Sequence, residues 1–260
     1  EVVNAHADYE QLVGGVDTLF KGSSQKLQSY ASNAYKTAGL SANDYMETVT
    51  GFSASLIQSL GGDTDKSVKY ADMAITDMAD NANKMGTDMS LIQNAYQGFA
   101  KQNYTMLDNL KLGYGGTKEE MQRLLSDAEK ISGVKYDISS YADVVDAIHV
   151  MQESMDIAGT TAKEAEGTIS GSVNALKSSV TNLVVGFGDA NADLGELCEN
   201  VVTAFQTVLE NISPIVENLI SALPTVITTL LESAGEMLPT VLETLAAVSY
   251  THLRAHETSQ

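Results

Sequence analysis

An acidic stretch near residue 190 has residue types and a spacing that could bind calcium. Asp189, Asn191 and Asp193 match the first three ligand positions of a calcium loop, which supplies oxygens from alternate residues. Such a loop also requires a turning glycine and a bidentate glutamate, but Leu194 and Asn200 occupy those two positions. We therefore expect no metal site here and keep a calcium-dependent role only as a minor alternative.

A glycine-rich stretch, Gly113-Tyr-Gly-Gly-Thr-Lys118, looks like a phosphate-binding loop. A Walker loop ends in Gly-Lys-Ser or Gly-Lys-Thr, so that the lysine reaches the phosphates where the helix begins. Here Thr117 comes before Lys118, and a threonine at this place is explained as the N-cap of a following helix. We interpret the stretch as a turn and predict no cofactor-binding residue in it.

The residue patterns typical of common hydrolases and redox enzymes are absent from the sequence. It contains no G-x-S-x-G, H-E-x-x-H or C-x-x-C motif, and Cys198 is its only cysteine. His6 and His149 have no neighbour in sequence that suggests catalysis or metal binding. We predict that the chain is not an enzyme and that it has no catalytic, cofactor-binding or metal-binding residue.

Composition excludes several further classes of protein. The formal net charge is −19, whereas a free-standing nucleic-acid-binding protein needs a basic face, so we expect no sequence-specific nucleic-acid partner. One cysteine cannot form an internal disulfide and fits a reducing compartment. Aromatic residues make up 6% of the chain and tryptophan is absent, which disfavours strands. The chain begins with Glu1 and shows no signal peptide, so we expect a fragment of a longer protein.

The elements that position these residues are predicted to be helices, because four stretches carry the same helix-start signature. In each one, a hydroxyl side chain that can accept a free backbone N–H is followed three residues later by an acid. The pairs are Ser41 with Asp44, Thr117 with Glu120, Ser140 with Asp143, and Thr161 with Glu164. Glycine-containing breaks lie between these starts, as expected for short loops.

Two apolar stripes agree with the helical prediction, because their members recur three and four residues apart on one helix face. The first is Val68, Ala71, Ile75, Met78, Ala82, Met85, Met89, Ile92, Tyr96 and Phe99, and the second is Ile169, Val173, Leu176, Val180, Leu183 and Phe187. We expect Gly86-Thr87-Asp88 to divide the first stripe between two helices. Its methionines could form a promiscuous binding groove, but core packing or helix–helix association is the preferred interpretation.

The composition changes after about residue 160, where charged residues become sparse. The motif Leu-Pro-Thr-Val begins at Leu223 and again at Leu238, and we predict that helices restart at Pro214, Pro224 and Pro239, since proline is tolerated in a first turn. Glutamates interrupt residues 201–247, so no uncharged run reaches the roughly 18 residues of a membrane span. A surface-seeking or self-associating helical segment fits this stretch better.

These observations predict an all-α fold, with a compact multi-helix region followed by longer, loosely packed amphipathic or hydrophobic helices. We expect the compact packing between about residues 40 and 155. The predicted organisation has four parts: a helical core region (1–157), a helical linker region (158–200), hydrophobic proline-punctuated helices (201–247) and a tail (248–260).

Three stretches of the chain resemble the tail tape measure proteins of siphophages and prophages of Gram-positive bacteria. They are "YEQLVGGVDTLFKGSSQKLQSYASNAYKTAGLSANDYMETVTGFSASLIQSLGGD", "ITDMADNANKMGTDMSLIQNAYQGFAKQNYTMLDNLKLGYGGTKEEMQRLL" and "GTTAKEAEGTISGSVNALKSSVTNLVVGFGD". The resemblance covers nearly all of residues 3–245, and the central stretch is the most specific.

The resemblance implies a structural role. Such proteins extend inside the growing tail tube, set its length and leave with or ahead of the DNA, and some have segments thought to help cross the host membrane. The implied partners are tail tube proteins, tail assembly chaperones and further copies of the chain, and the implied location is the virion tail, assembled in the host cytoplasm. The alternative function is a membrane-active helical effector, or a pore-associated protein, acting through residues 201–247.

The last residues differ from the rest of the chain. The stretch "VSYTHLRAHET", residues 248–258, resembles the translation of a transposase-type sequencing adapter, and it contains two of the four histidines, His252 and His256. A natural helix end is the alternative, which the abrupt change of composition disfavours. We interpret the tail as an artefact and expect it to be exposed and to make few contacts.

Overall fold

A computed structural model describes residues 2–257, with side chains described for residues 2–246. Within those limits the chain is all helix and loop, without a strand, and a compact multi-helix region is followed by one long helix. The predicted fold class is therefore confirmed. By contact density the chain divides into a first unit that runs through Asn211 and a second unit that begins at Ile212.

The helices are α1 (Val2–Phe20), α2 (Ser24–Thr37), α3 (Ala42–Thr50), α4 (Ser53–Ser59), α5 (Thr64–Met85), α6 (Met89–Phe99), α7 (Lys118–Ser132), α8 (Tyr141–Ser154), α9 (Thr160–Gly167), α10 (Ile169–Gly186) and α11 (Leu194–Glu257). Short 3₁₀ turns lie at Lys21–Ser23 and Leu107–Leu110.

Three of the four predicted helix starts are confirmed. The hydroxyls of Ser41, Thr117 and Ser140 accept a backbone N–H three residues on, at the starts of α3, α7 and α8. The predicted break between α5 and α6 is also present. Gly86 ends α5 with a φ of 64°, a left-handed conformation that costs glycine little.

The fourth predicted helix start is wrong in its detail. Helix α9 begins at Thr160, so Thr161 lies within its first turn and does not act as the N-cap. The free N–H groups are accepted by the buried carboxylate of Asp80 on α5, which lies 2.6 Å from the Gly159 nitrogen and 2.7 Å from the Thr161 nitrogen. Asp80, a residue of another helix, thus accepts N–H groups at the start of α9, the role that the sequence signature predicted for Thr161.

One apolar core fills residues 2–157, which we call the body. Val68, Ile75, Met78, Ile92 and Tyr96 of the first stripe are fully buried in it, which confirms core packing as the role of that stripe. The core also includes Val16, Phe20 and Leu27 of α1 and α2. The compact part therefore begins well before residue 40, because α1 and α2 also contribute buried faces to this core.

Helix α10 packs with its polar face inward. Its buried residues are Ser172, Ala175, Ser178, Ser179, Asn182, Val185 and Gly186. By contrast, Ile169, Val173 and Val180 of the second predicted stripe are exposed, as is Phe187 directly after the helix. The periodicity of the stripe correctly indicates one helix face, but most of that face is exposed to solvent, and Leu176 and Leu183 are half-buried.

The predicted helix restarts at the three prolines are wrong. Pro214, Pro224 and Pro239 all lie inside the single helix α11. An interior proline removes one backbone hydrogen bond and crowds the preceding turn. In the second unit, every side chain of residues 213–246 is exposed, so water can satisfy the carbonyl that each proline leaves free. The exposure and contacts expected for residues 248–260 lie outside the described side chains.

Candidate functional site

The most perturbed pair of ionisable groups in the described residues joins α5 to α8. Helix α5 presents Asp77 from the edge of its buried stripe, and α8 presents His149 opposite. The imidazole Nδ1–H of His149 donates to both carboxylate oxygens of Asp77, at 2.9 and 3.0 Å. Asp77 is buried and His149 is partly exposed, so the pair lies at the rim of the core.

Burial and proximity shift the pKa values of both groups toward neutrality. Burial raises the pKa of the Asp77 carboxyl to about 6, against the opposing effect of the hydrogen bond from His149. That hydrogen bond raises the pKa of the His149 imidazole to about 8, and the carboxylates of Glu153 and Asp146 act in the same direction. Between these two values the pair is a buried carboxylate bonded to an imidazolium.

An aspartate–histidine pair is the orienting half of a catalytic triad, which also needs a nucleophile near the second imidazole nitrogen. That nitrogen, Nε2, lies 3.4 Å from the exposed carboxylate of Glu153. The described surface has cavities of about 270 to about 660 Å³, and their linings do not include Asp77 or His149. The pair can therefore hold two helices together and change its charge near neutral pH.

The glycine-rich stretch before α7 is a closed turn, as predicted. Two of its backbone donors have partners within the turn, because the Gly115 N–H donates to the Glu120 carboxylate at 3.0 Å and the Thr117 N–H donates to the Gly115 carbonyl at 3.0 Å. The Arg123 guanidinium donates to the Gly113 carbonyl at 2.8 Å and lies over the Tyr114 ring. The Glu120 carboxylate thus accepts a backbone N–H of the kind that binds a phosphate oxygen in a phosphate-binding loop.

The acidic stretch before α11 uses its carboxylates for backbone hydrogen bonds. Asp189 accepts the Asn191 N–H at 2.8 Å, and Asp193 accepts the Glu196 N–H at 3.0 Å in the first turn of α11. Among the described residues, no group of three histidine, cysteine, aspartate or glutamate side chains is placed to hold a metal ion.

The second unit presents a different kind of candidate site, an exposed apolar helix surface. Large apolar side chains recur along it, all of them exposed: Ile215, Val216, Leu219, Ile220, Leu223, Val226, Ile227, Leu230, Leu231, Met237, Leu238, Val241, Leu242 and Leu245. By length and composition alone, Leu194–Ala246 is the one helical stretch in the described part of the chain that could cross a membrane, and an 18-residue window within it has a mean hydropathy of 1.4. Exposed apolar surface of this extent is typical of an interaction site.

Sequence reasoning missed the Asp77–His149 pair. The two residues are 72 positions apart, and nothing in the sequence around either one points to the other. The sequence offered only a weak signal, the position of Asp77 directly before Met78 of the first apolar stripe, which places it near the edge of that helix face.

Comparison with protein-family models, with curated proteins and with solved structures found no match to this chain. The observations that bear on its function are therefore its own: the all-helical fold, the buried Asp77–His149 pair and the exposed apolar helix of residues 213–246.

Proposed function

We propose that this chain is a segment of a phage tail tape measure protein, a non-enzymatic scaffold that sets tail length during assembly and takes part in genome ejection. The observation that carries the proposal is the resemblance of residues 75–125, "ITDMADNANKMGTDMSLIQNAYQGFAKQNYTMLDNLKLGYGGTKEEMQRLL", to that family. The proposed partners are tail tube and tail assembly chaperone proteins, in a virion tail assembled in the host cytoplasm.

The geometry of α11 supports this role. A ruler needs a fixed length per residue, and an α-helix supplies about 1.5 Å per residue. In the second unit, residues 212–247 of α11 form continuous helix through three prolines, and this stretch spans about 54 Å at that rise. Its apolar side chains in residues 213–246 are exposed and so are free to contact other copies of the chain or the tube wall.

A deletion within α11 tests the role directly. Removing residues 213–233 takes 21 residues, or three heptads, out of the helix and rotates the remaining apolar positions by only about 60° around its axis. In a phage or prophage that carries this gene, we expect tails about 30 Å shorter, measured by electron microscopy of released particles. Replacing the same residues with 21 residues of another helical sequence is the control and should leave the length unchanged. Tails of unaltered length after the deletion would contradict the proposal.

The surrounding genes give a second, independent test. A tape measure gene should continue beyond this segment in frame and lie beside genes for tail tube, tail chaperone and distal tail proteins. A neighbourhood without any tail gene would overturn the proposal.

The exposed apolar surface also supports a second candidate, a membrane-active helical effector that acts through residues 201–247. In that case a chain ending at residue 247 should float with liposomes. Replacing Leu230 and Leu231 by Asp should abolish the binding, because both are exposed on the second unit. The matched control is Val134→Asp, which changes an exposed apolar residue of the body. Failure to bind neutral and anionic liposomes would remove this candidate.

A further inference from the structure

The first unit contains a segment attached to the body chiefly through hydrogen bonds, and we infer that it opens and closes as one piece. This segment, which we call the arm, comprises α9, α10 and the start of α11, residues 160–211. The inference does not depend on the tape measure proposal, since it rests only on contacts within the first unit.

The apolar contacts between the arm and the body are slight. In the arm, the buried apolar side chains are Ala165, Ala175, Val185 and Ala204, three alanines and one valine. The body buries leucine, isoleucine, methionine and aromatic side chains in one continuous cluster, with Tyr35 beside Ala165 and Ala175 in a small separate one. Because the free energy of apolar burial scales with the area removed from water, the arm gains little of it.

The first hydrogen-bonded attachment is at the N-terminus of α9. The Asp80 carboxylate accepts the N–H groups of Gly159 and Thr161, and Asn83 of the same helix donates to the Thr161 hydroxyl at 2.8 Å. Asp80 is 1% exposed, so its polar side-chain oxygens lie in the interior and depend on these donors for hydrogen bonds when the arm is closed. We call this attachment the latch.

Further attachments along α10 also join side chains to backbone. Asn174 and Ser178 both donate to the Gly39 carbonyl, at 3.0 and 2.9 Å. The Asn182 side chain accepts the Ala42 N–H at 2.8 Å, where α3 begins. Water can replace each of these bonds on opening, so the net loss per bond is small.

A further attachment joins the start of α11 to the body, and here too it is polar. The Tyr35 hydroxyl donates to the Asn200 side chain at 2.8 Å. Asn211 donates to the carbonyls of Glu166 and Thr168, which lie within the arm, so this contact holds α11 to α9 when the arm moves.

The connection between body and arm has the backbone conformations of a hinge. Asp156 and Gly159 both have positive φ, 54° and 78°, on either side of the buried Ile157. Positive φ is uncommon outside glycine, although aspartate tolerates it, and a few such residues beside a helix end are the kind of position that absorbs a hinge motion. Opening at this point would expose the Asp80 carboxylate and the polar inner face of α10, both of which water solvates well.

Hydrogen–deuterium exchange of the full chain, read by mass spectrometry, tests this inference. In the wild-type protein, peptides from α9 and α10 should exchange together and much faster than peptides from α5 and α8. Asp80→Asn removes one acceptor from the latch and should speed the exchange of α9 and α10 by about tenfold or more. Exchange of α5, α6 and α8 should change far less.

Asp77→Asn is the matched control, because it alters another buried aspartate of α5 whose partner is on α8. It should leave the exchange of α9 and α10 as in the wild type, because Asp77 makes no hydrogen bond to the arm. Equal protection of α10 and α5 in the wild-type chain would overturn the inference, and that measurement does not depend on the folding of any variant. A uniform acceleration of all helices by Asp80→Asn would overturn the role of the latch.

Discussion

Replacing Phe99 by Ala is expected to lower the free energy of unfolding of the first unit by about 3–5 kcal/mol. Phe99 ends α6 and is 1% exposed. Its ring packs between those of Tyr96 and Tyr104, with centroid distances of 5.8 and 6.1 Å. Truncation would remove both aromatic contacts and leave a cavity that rigid neighbouring helices can only partly fill. Urea unfolding followed by near-ultraviolet circular dichroism, which reports the packed tyrosines, measures the loss.

Phe187→Ala is the matched control for this prediction. Phe187 belongs to the second apolar stripe but is 59% exposed, so its truncation should change the free energy of unfolding by less than about 0.5 kcal/mol. Similar losses from Phe99 and Phe187 would mean that α10 buries its apolar face and that the outward placement of the stripe is wrong.

The parts of the fold that could be predicted from the sequence are those fixed by neighbouring residues. Ser41, Thr117 and Ser140 cap their helices because the N–H that each accepts lies three residues away in the chain. Gly86 ends α5 because only glycine takes the left-handed turn there without strain. Helix caps and helix ends of this kind involve residues within a few positions of one another, so they depend little on how the rest of the chain packs.

The parts that could not be predicted depend on residues far apart in sequence. Asp80 replaces Thr161 as the acceptor for the start of α9, over a separation of 81 residues. The periodicity of α10 identifies an apolar face, but whether that face is buried depends on whether the facing surface of the body is apolar or polar. The body offers the Gly39 carbonyl and the Ala42 N–H, which Ser178 and Asn182 satisfy, so the polar face turns inward.

The prolines show how environment alters a local rule. Proline in a helix interior costs roughly 3 kcal/mol, which predicts a break at each of the three positions. In α11 the helix continues through all of them, and Pro224 and Pro239 lie where every neighbouring side chain is exposed. Threonines there bond back to the preceding turn, as Thr228 does to the Pro224 carbonyl at 2.8 Å, a contact that tends to bend a helix.

Raising the pH from about 6.5 to about 8.5 is expected to lower the free energy of unfolding of the first unit by on the order of 2 kcal/mol. The hydrogen bond to Asp77 raises the pKa of His149 to about 8 in the folded chain, above the ordinary histidine value of about 6.5. The folded state therefore binds this proton more tightly than the unfolded state. The resulting stability is complete below about pH 6.5 and is lost as the pH rises through about 8. Asp77, with a pKa of about 6, is ionised over most of this range.

The midpoint of urea unfolding, measured across that pH range, should fall for the wild-type chain and stay nearly level for His149→Asn. Asparagine can still donate to Asp77 but does not titrate, so the variant separates the loss of a proton from the loss of a contact. His6→Asn is the matched control, because His6 lies on α1 near Glu10 and away from Asp77, and it should retain the wild-type slope. A slope that survives His149→Asn would show that another group is responsible. Since the pair joins α5 to α8, its loss of charge would weaken the body at the rim of its core.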